Sequence, residues 1–379
     1  MKLPEVTIPP GEIDTVLKAY RYPCRFILQP GEYTTKGIWN FLNDFDCCML
    51  PPQSELIGAG SQTTILKLSN PVTSIISGSG IYPQYAVLTG GNRTNTIISS
   101  SVPYRTKISG ITIDCEYNKP IIGLQLWASN AIVEDVVVTN VWGDWSTNWE
   151  GFGILINNSA NQSLVNDGGH YVKDCKVYVK AGAYATGLYV GCVQRGTPLE
   201  QSVVENCKVL CYDNGVLPHA AYGINSQVTM NNCEAYGFDY TIFNDTSNTL
   251  NTIITNCIFK KIGYSYMALR ANRSGWSREN VIKSNCIMEF DSAKADHVAL
   301  LVCDDQSPTK DQAFIKNILI RDSIVVNKTN KTFYFGSING KNFTNVGLVR
   351  NILPAKNANV VIASPAQKSS WVDKDNTLL

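Results

Sequence analysis

Short runs of alternating apolar and polar residues follow one another along most of the chain, and a recurring Asn/Asp–Cys step marks one point in each repeat. The step occurs at Asp174-Cys175, Asn206-Cys207, Asn232-Cys233, Asn256-Cys257 and Asn285-Cys286. Looser copies at Gly110, Asp135, Asp322 and Asn351 extend the series to nine register points, 24 to 39 residues apart. A repeat of this length indicates a solenoid, in which each unit buries its apolar face by stacking on its neighbours.

Each repeat contains three strand-like segments and no helical one. The Asn/Asp–Cys segment is followed by a loop, by a second segment such as TGLYVG, and by a third that returns to the next register point. Three short strands per coil predict an all-β fold, a parallel β-helix. Asn suits the corner between two strands because it tolerates the left-handed conformation and its amide can bond to the Asn of the adjacent coil.

The two ends of the chain depart from the repeat. Residues 11–20 place Ile13, Val16, Leu17 and Tyr20 at helical spacing, which predicts a short amphipathic helix. Because a solenoid end exposes apolar core and unpaired strand edges, we expect this helix to be a cap. We divide the chain into a cap with the first turns (1–105), the main coils (106–352) and a C-terminal strand and tail (353–379). The tail, with Trp371, either caps the last coil or contacts another subunit.

Two features carry a resemblance to a known family: the opening FILQPGEYTTKGIWNF…LPPQSELIGAGSQTTILKL and the coils from Ser109 to Ile352. Together they resemble the right-handed parallel β-helix proteins of the pectate-lyase superfamily, especially bacteriophage tailspikes and related polysaccharide depolymerases. The resemblance implies a right-handed, single-stranded helix with three sheets, a glycan partner, a homotrimer, and a place on a virion or outside the cell. It does not specify an activity, because this fold hosts lyases, hydrolases, epimerases and receptor-binding proteins.

Composition narrows the choice of partners and compartment. With 32 basic and 31 acidic residues interspersed, the chain has no basic stripe, so we expect neither nucleic acid nor an anionic membrane as a partner. No apolar run reaches the roughly 18–20 residues of a membrane span, and the start MKLPEVTIPPGEID lacks the apolar region of a signal peptide. The 12 cysteines include no CxxC pair; we interpret the recurrent ones as reduced core residues, which favours folding in a reducing cytosol.

The longest register interval, from Asp135 to Asp174, predicts a loop that projects from one face, where function commonly lies. This interval includes Trp142, Asp144, Trp145, Trp149 and Glu150. Tryptophan faces bind sugar rings, and carboxylates perform acid–base chemistry at glycosidic bonds. Alternatively, the tryptophans fold the loop onto the flank of the rod and the acids are merely solvated.

Equivalent loops of the following coils carry further aromatic and acidic residues: Tyr184, Tyr212, Asp213, His219, Tyr222, Asp239, Tyr240, Tyr264 and Tyr266. In register they would form a stripe suited to an elongated polymer. We expect three catalytic acids, Asp144, Glu150 and Asp213. We expect the substrate to contact Trp142, Trp145, Trp149, Tyr184, His219, Tyr222, Asp239 and Tyr240. Two facing carboxylates about 5–9.5 Å apart would permit hydrolysis. The alternative is that each Tyr packs on the Tyr of the next coil.

The sequence therefore predicts a protein that binds a surface or capsular polysaccharide and cleaves it by hydrolysis or β-elimination. The alternative is a non-catalytic structural or receptor-binding virion appendage. We expect no metal or other cofactor, because His170 and His297 lack ligand-spaced partners and the adjacent acids Asp304 and Asp305 are better explained as solvated than as a calcium site. Arginines on another face would favour uronates and a lyase: Arg195, Arg270, Arg273 and Arg278.

Overall fold

The structure, a computed structural model, is all-β apart from one short helix in the residues that it describes. It describes residues 2–20, 22–39, 49–51, 53–69, 85–91, 106–116, 121–128, 130–146, 150–157, 168–191, 200–224, 227–244, 249–271, 277–291, 297–305, 314–339, 343–354, 358–362 and 371–378. The helix is α1 (Asp14–Ala19). It is too short to cross a membrane, and the described part of the chain contains no other helix that could.

The first strands are β1 (Glu5–Ile8), β2 (Gly11–Glu12), β3 (Arg25–Leu28), β4 (Gly31–Thr35), β5 (Ile38–Trp39), β6 (Met49–Leu50), β7 (Glu55–Ile57), β8 (Thr64–Leu68), β9 (Tyr85–Gly91), β10 (Lys107–Asp114), β11 (Ile122–Trp127), β12 (Ile132–Val141), β13 (Gly151–Asn157), β14 (Tyr171–Lys173), β15 (Lys176–Val179), β16 (Ala185–Val190) and β17 (Ser202–Glu205). The remaining strands are β18 (Lys208–Leu210), β19 (Ala220–Ile224), β20 (Val228–Asn231), β21 (Glu234–Asn244), β22 (Thr249–Thr255), β23 (Ile258–Ala271), β24 (Ser277–Ser284), β25 (Ile287–Phe290), β26 (His297–Asp305), β27 (Phe314–Arg321), β28 (Ile324–Asn327), β29 (Thr332–Asn339), β30 (Phe343–Val349), β31 (Ile352–Leu353), β32 (Ala358–Ile362), β33 (Trp371–Lys374) and β34 (Thr377–Leu378).

These strands wind into a right-handed parallel β-helix with three sheets, as the sequence predicts. Sheet 1, which begins just after the Asn/Asp residue of each register point, joins β2, β4, β8, β15, β18, β25, β28, β31 and β34. Sheet 2 joins β9, β11, β13, β16, β19, β26, β29 and β32. Sheet 3 joins β1, β3, β7, β14, β17, β20, β22, β24, β27, β30 and β33. The long strands β10 and β12 pass from sheet 3 to sheet 1. Strands β21 and β23 pass from sheet 1 to sheet 2. Among the described pairings only β5 with β9 is antiparallel.

The register residues form the corner between sheets 3 and 1. Five of them share φ between 52° and 55°: Asp174, Asn206, Asn232, Asn256 and Asn285. Asn and Asp adopt this left-handed conformation at lower cost than most residues, so the chain turns within a single residue. Adjacent coils are joined by side chains, since Asn206 Nδ2 donates to Asp174 Oδ1 at 3.1 Å and Asn232 Nδ2 donates to Asn206 Oδ1 at 2.7 Å. The predicted Asn corner is confirmed.

A second Asn ladder, which we did not predict, bends the strands of sheet 3. Asn251, Asn280, Asn317 and Asn345 have φ between 47° and 57°. Each amide donates to the carbonyl oxygen of the preceding member, at 2.9, 2.9 and 3.0 Å. The corner ladder thus joins the coils from Asp174 to Asn232, and this second ladder joins the coils from Asn251 to Asn345, in addition to the strand pairing.

The cysteines of the repeat lie in the interior. All eight that the structure describes are free and buried: Cys24, Cys115, Cys175, Cys207, Cys211, Cys233, Cys257 and Cys286. The thiols of the five recurrent cysteines, from Cys175 to Cys286, bond to backbone oxygens, as Cys207 Sγ does to Glu205 O at 3.3 Å. The interpretation of the recurrent cysteines as reduced core residues is confirmed for these positions.

We expect the core thiols to react with a thiol reagent such as Ellman's only after unfolding. Burial hides the sulfur atoms and raises the pKa of groups such as the Cys115 thiol, which disfavours the reactive thiolate. Titration in denaturant should count all 12 thiols, and at least eight of them should be protected under native conditions. Rapid native reaction of more than four thiols would contradict this placement of the cysteines.

The chain itself closes the N-terminal end of the β-helix. Ile13 and Leu17 of the α1 segment are buried in the core, and the Asp14 carboxylate accepts hydrogen bonds from Thr35 Oγ1 at 2.6 Å and Lys36 N at 2.7 Å. The predicted capping helix is confirmed. At the other end Trp371 packs against the same core, and its ring lies over Gly336, where a Cβ atom would come within 2.6 Å of it. The tail continues the β-helix, because β33 pairs with β30 and β34 pairs with β31; the choice between a cap and a subunit contact stays a prediction.

Candidate functional site

Backbone contacts between coils position the loop that precedes β13. Tyr184 N donates to Gly143 O at 3.0 Å, and Gly151 N donates to Tyr184 O at 2.9 Å. The approach is too close for a side chain, because a Cβ atom on Gly143 would lie 1.7 Å from the Tyr184 carbonyl oxygen. The two glycines therefore hold the ends of the loop against the next coil, with Trp145 and Glu150 beside it.

Glu150 and His219 form a polar pair at the entrance to sheet 2. The Glu150 carboxylate oxygen Oε1 accepts a short hydrogen bond from Thr186 Oγ1 and lies 3.3 Å from His219 Nδ1. The pair is mostly buried, with 15% of the Glu150 side chain and 8% of the His219 side chain exposed. When Nδ1 carries the imidazole proton it donates to Glu150, and Nε2 is then the acceptor nitrogen.

Four rings surround the His219 imidazole. Their centroids lie 5.6 Å (Trp145), 5.0 Å (Tyr184), 5.4 Å (Tyr240) and 4.6 Å (Phe243) from that of His219. The ring of Trp145 is tilted over that of Tyr184 at 4.3 Å, and 48% of Trp145 is exposed. The rings fix the imidazole orientation, and Trp145 offers an apolar surface to solvent beside it.

These rings belong to a longer row, which we call the aromatic column: Trp145, Tyr184, His219, Tyr240, Tyr264, His297 and Tyr334. Successive centroids are 4.3, 5.0, 5.4, 5.3, 5.5 and 4.8 Å apart. One member comes from each of seven successive coils, near the start of its sheet 2 strand. At a strand spacing of about 4.8 Å, six steps give a column about 29 Å long.

Tyr222 does not line this surface, which corrects our prediction. It is fully buried, and its hydroxyl donates to Cys207 O at 2.9 Å and Glu234 O at 2.7 Å. Its neighbour Ala220 belongs to a cluster apart from the main core, whereas Tyr222 belongs to the core itself. Ala221 and Tyr222 thus both face the core, so the strict alternation of side chains is broken after Ala220. Tyr266 is also buried in the core.

The other predicted acids have local partners. Asp213 is ion-paired with Lys180 at 3.1 Å and accepts a hydrogen bond from Ala181 N at 3.2 Å, and this backbone bond and Lys180 together lower the pKa of its carboxyl group. Asp144 Oδ1 accepts hydrogen bonds from Ser146 N at 2.8 Å and Ser146 Oγ at 2.7 Å. Glu150 is thus the predicted catalytic acid that the structure places in contact with the column.

The remaining predicted residues take different positions. Asp239 is buried in the coil next to His219, with its backbone N donating to Pro218 O at 2.9 Å. Trp142 is half-buried and packs against the core. Tyr212 is 62% exposed and its ring pairs with Tyr236 at 5.2 Å, apart from the column. Trp149 lies outside the described residues.

The predicted arginine face and calcium position lie largely outside the described side chains. Arg195 and Arg273 lie outside the described residues, as do the side chains of Arg270 and Arg278. Asp304 and Asp305 end strand β26, instead of lying on a loop as we expected. Within the described part of the chain no group of three or more His, Cys, Asp or Glu side chains is placed to hold a metal ion.

Sequence reasoning missed four members of the site. Thr186 bonds to Glu150, Phe243 packs on His219, and His297 and Tyr334 extend the column. We interpreted His297 as a polar strand residue and did not assign the others to the site. The segments TGLYVG, YTIFND, HVALLV and FYFGSI contain or begin with these residues, so the alignment of successive sheet 2 strands was the signal that would have found them.

The fold places the chain in the class of right-handed single-stranded parallel β-helix proteins. Comparison with solved structures identifies the tailspike protein of E. coli bacteriophage HK620 in complex with a pentasaccharide, with 14% identity and a TM-score of 0.66. That match covers 98% of this chain and 64% of the tailspike chain. The catalytic domain of a GH87 α-1,3-glucanase in complex with tetrasaccharides has 12% identity and a TM-score of 0.53, over 99% of this chain and 69% of that chain.

A third similar structure is the A-module of a mannuronan C-5 epimerase from Azotobacter vinelandii. It has 12% identity and a TM-score of 0.51, and the match covers 97% of this chain and 94% of that chain. At these identities the likeness shows the fold, so the predicted resemblance is confirmed at that level. No family model matches the sequence, and no curated protein matches it.

Proposed function

We propose that the protein binds a linear polysaccharide along the aromatic column and cleaves it beside Glu150 and His219. The column itself carries the proposal: seven rings, one from each coil and each in contact with the next along one flank of a rod, form an extended surface that suits a polymer better than a small molecule. Solved relatives in fold that hold a pentasaccharide and tetrasaccharides support a glycan as the partner.

The chemistry assigned to the pair is proton transfer. With Nδ1 of His219 bonded to Glu150, Nε2 can accept a proton from a nucleophilic water or from the sugar, and the carboxylate stabilises the imidazolium that results. Thr186 holds the carboxylate in place, and the surrounding rings limit the access of water. In β-elimination the imidazolium can return the proton to the glycosidic oxygen as its bond to carbon breaks. Hydrolysis additionally needs a second acid group to protonate the leaving oxygen while His219 activates the water.

A screen of purified polysaccharides tests the proposal and separates the two reactions. The panel contains neutral α-glucans, bacterial O-antigens and capsules, alginate and pectate, and each sample is assayed for new reducing ends and for the absorbance of unsaturated uronates. Reducing ends alone indicate hydrolysis; reducing ends with that absorbance indicate elimination. Binding without products supports a non-catalytic receptor-binding appendage, and the absence of both contradicts the proposal.

The non-catalytic alternative has one observation in its favour. Asp144 and Asp213, two of the three predicted catalytic acids, are engaged in contacts that stabilise loops. The fold likeness to a tailspike supports a virion appendage as the location in either case.

The homotrimer implied by the sequence resemblance stays a prediction. What supports an assembly is a row of isoleucines in register on the outer face of sheet 1: Ile258, Ile287, Ile324 and Ile352. Each is 36–40% exposed. Contiguous exposed apolar surface marks an interaction site more often than a free surface, and a row of identical residues can match the same row of a second copy.

A further inference from the structure

The aromatic column continues well past the Glu150–His219 pair, into coils that the proposed chemistry does not use. Beyond Tyr240 it contains Tyr264, His297 and Tyr334. The Tyr264 hydroxyl lies 3.4 Å from His297 Nε2, and the His297 ring is tilted over that of Tyr334 at 4.8 Å. All three are half-buried, so each keeps part of its ring at the surface while its packing holds it in place.

This group has the chemistry of a sugar-binding surface. Ring faces pack against the apolar face of a pyranose, while a phenol hydroxyl and an imidazole nitrogen donate to and accept from sugar hydroxyls. A purely packing role would not require Tyr264 and His297 to place polar atoms next to each other at the start of their strands.

We propose that Tyr264, His297 and Tyr334 form a distal subsite that binds the glycan on the C-terminal side of the cleavage position. The inference rests on the proposed function. It adds how long a glycan must be for efficient cleavage and on which side of the cleavage position most of the glycan is bound. Four coil steps separate His219 from Tyr334, about 19 Å, whereas two steps, about 10 Å, separate it from Trp145. A pyranose in an extended chain is about as long as one coil step, so most of the bound segment lies on the C-terminal side.

The consequence is a preference for long substrates. Contacts remote from the reacting bond supply binding free energy that holds the glycan in register for cleavage, so an oligosaccharide too short to reach Tyr334 loses that contribution. An unequal distribution of subsites also predicts unequal products, with the longer piece released from the C-terminal side of His219.

The test is the chain-length dependence of cleavage in wild type and in the double variant His297→Ala/Tyr334→Ala. The probes are size-fractionated oligosaccharides, from disaccharide to octasaccharide, made by partial acid hydrolysis of the polysaccharide that gives products in the screen. For wild type, kcat/KM should rise with length until the distal subsite is filled. In the double variant the advantage of the longest over the shortest cleaved probe should fall at least ~10-fold, which is about 1.4 kcal/mol.

Tyr212→Ala is the matched control, since it removes an exposed aromatic ring that pairs with Tyr236 and lies outside the column. It should retain the wild-type length dependence. Calorimetric binding of the same probes to Glu150→Gln supplies a readout that does not need turnover, and the gain of affinity with length should vanish when the distal rings are removed.

Three results would count against the proposal. A wild-type kcat/KM that does not increase with length, or an equal loss on short and long probes, overturns the distal subsite and leaves the proposed function standing. The absence of both cleavage and binding for every probe overturns the two together.

Discussion

Glu150→Gln is expected to reduce glycan cleavage by at least about 100-fold, the lower end of what a positioned acid–base group contributes. The amide has the shape of the carboxylate and can keep the hydrogen bond from Thr186, but it has no charge with which to stabilise a protonated His219. Product release from the responsive polysaccharide, measured as initial rate per enzyme, is the readout. Glycan affinity should change little, because the rings of the column are untouched.

Asp144→Asn is the matched comparison for this variant. It also replaces one carboxylate of the same loop with an amide, yet Asp144 accepts its hydrogen bonds from Ser146, and an Asn carbonyl can accept them equally well. We expect it to retain most of the activity. Full activity in Glu150→Gln, or a larger loss in Asp144→Asn than in Glu150→Gln, would remove Glu150 from the reaction and return the assignment to Asp144.

The fold could be predicted from the sequence because every coil repeats the same local pattern of residues at its corner. A left-handed residue before a small apolar one fixes where the chain turns and which side chain points inward. The second Asn ladder was equally readable, since Asn251, Asn280 and Asn317 each come five residues before a register point. That fixed offset is a second period within the repeat, and it went unnoticed because no cysteine accompanies it.

The site could be predicted only in outline. Glu150 and His219 are 69 residues apart, and their contact depends on where a loop of irregular length re-enters sheet 2. Tyr222 was predicted to lie on a surface loop, whereas it lies within β19 and faces the core. The partner of Asp213 lies 33 residues earlier at Lys180, in the adjacent coil, and no spacing rule identifies it when coil lengths vary.

Lys283→Met is expected to stabilise the protein. Lys283 is fully buried and projects into the core at a position where the adjacent coils place Ile254 and Ile320. Its Nζ lies 4.2 Å from the centroid of the Tyr266 ring, a cation–π contact that returns about 0.5–2 kcal/mol. Transferring a charged amine into such a core costs several kcal/mol, and replacing buried charges by apolar side chains of similar volume is often neutral or stabilising by about 1–4 kcal/mol. On this precedent we expect Met, which replaces the buried amine with an apolar group of similar length, to raise the unfolding midpoint.

The measurement is the midpoint of thermal unfolding at a fixed scan rate, since a solenoid of this length need not unfold in two states. Lys260→Met is the control. It makes the same change at an exposed lysine on the outside of the β-helix and should leave the midpoint nearly unchanged. A lower midpoint for Lys283→Met would mean that the contacts of the amine, that with the Tyr266 ring among them, outweigh its desolvation. The buried amine of Lys283 would then stabilise the core of this coil. The variant Lys283→Arg keeps the charge but has a larger head group, so it should be less stable than wild type because the core has no room for that group.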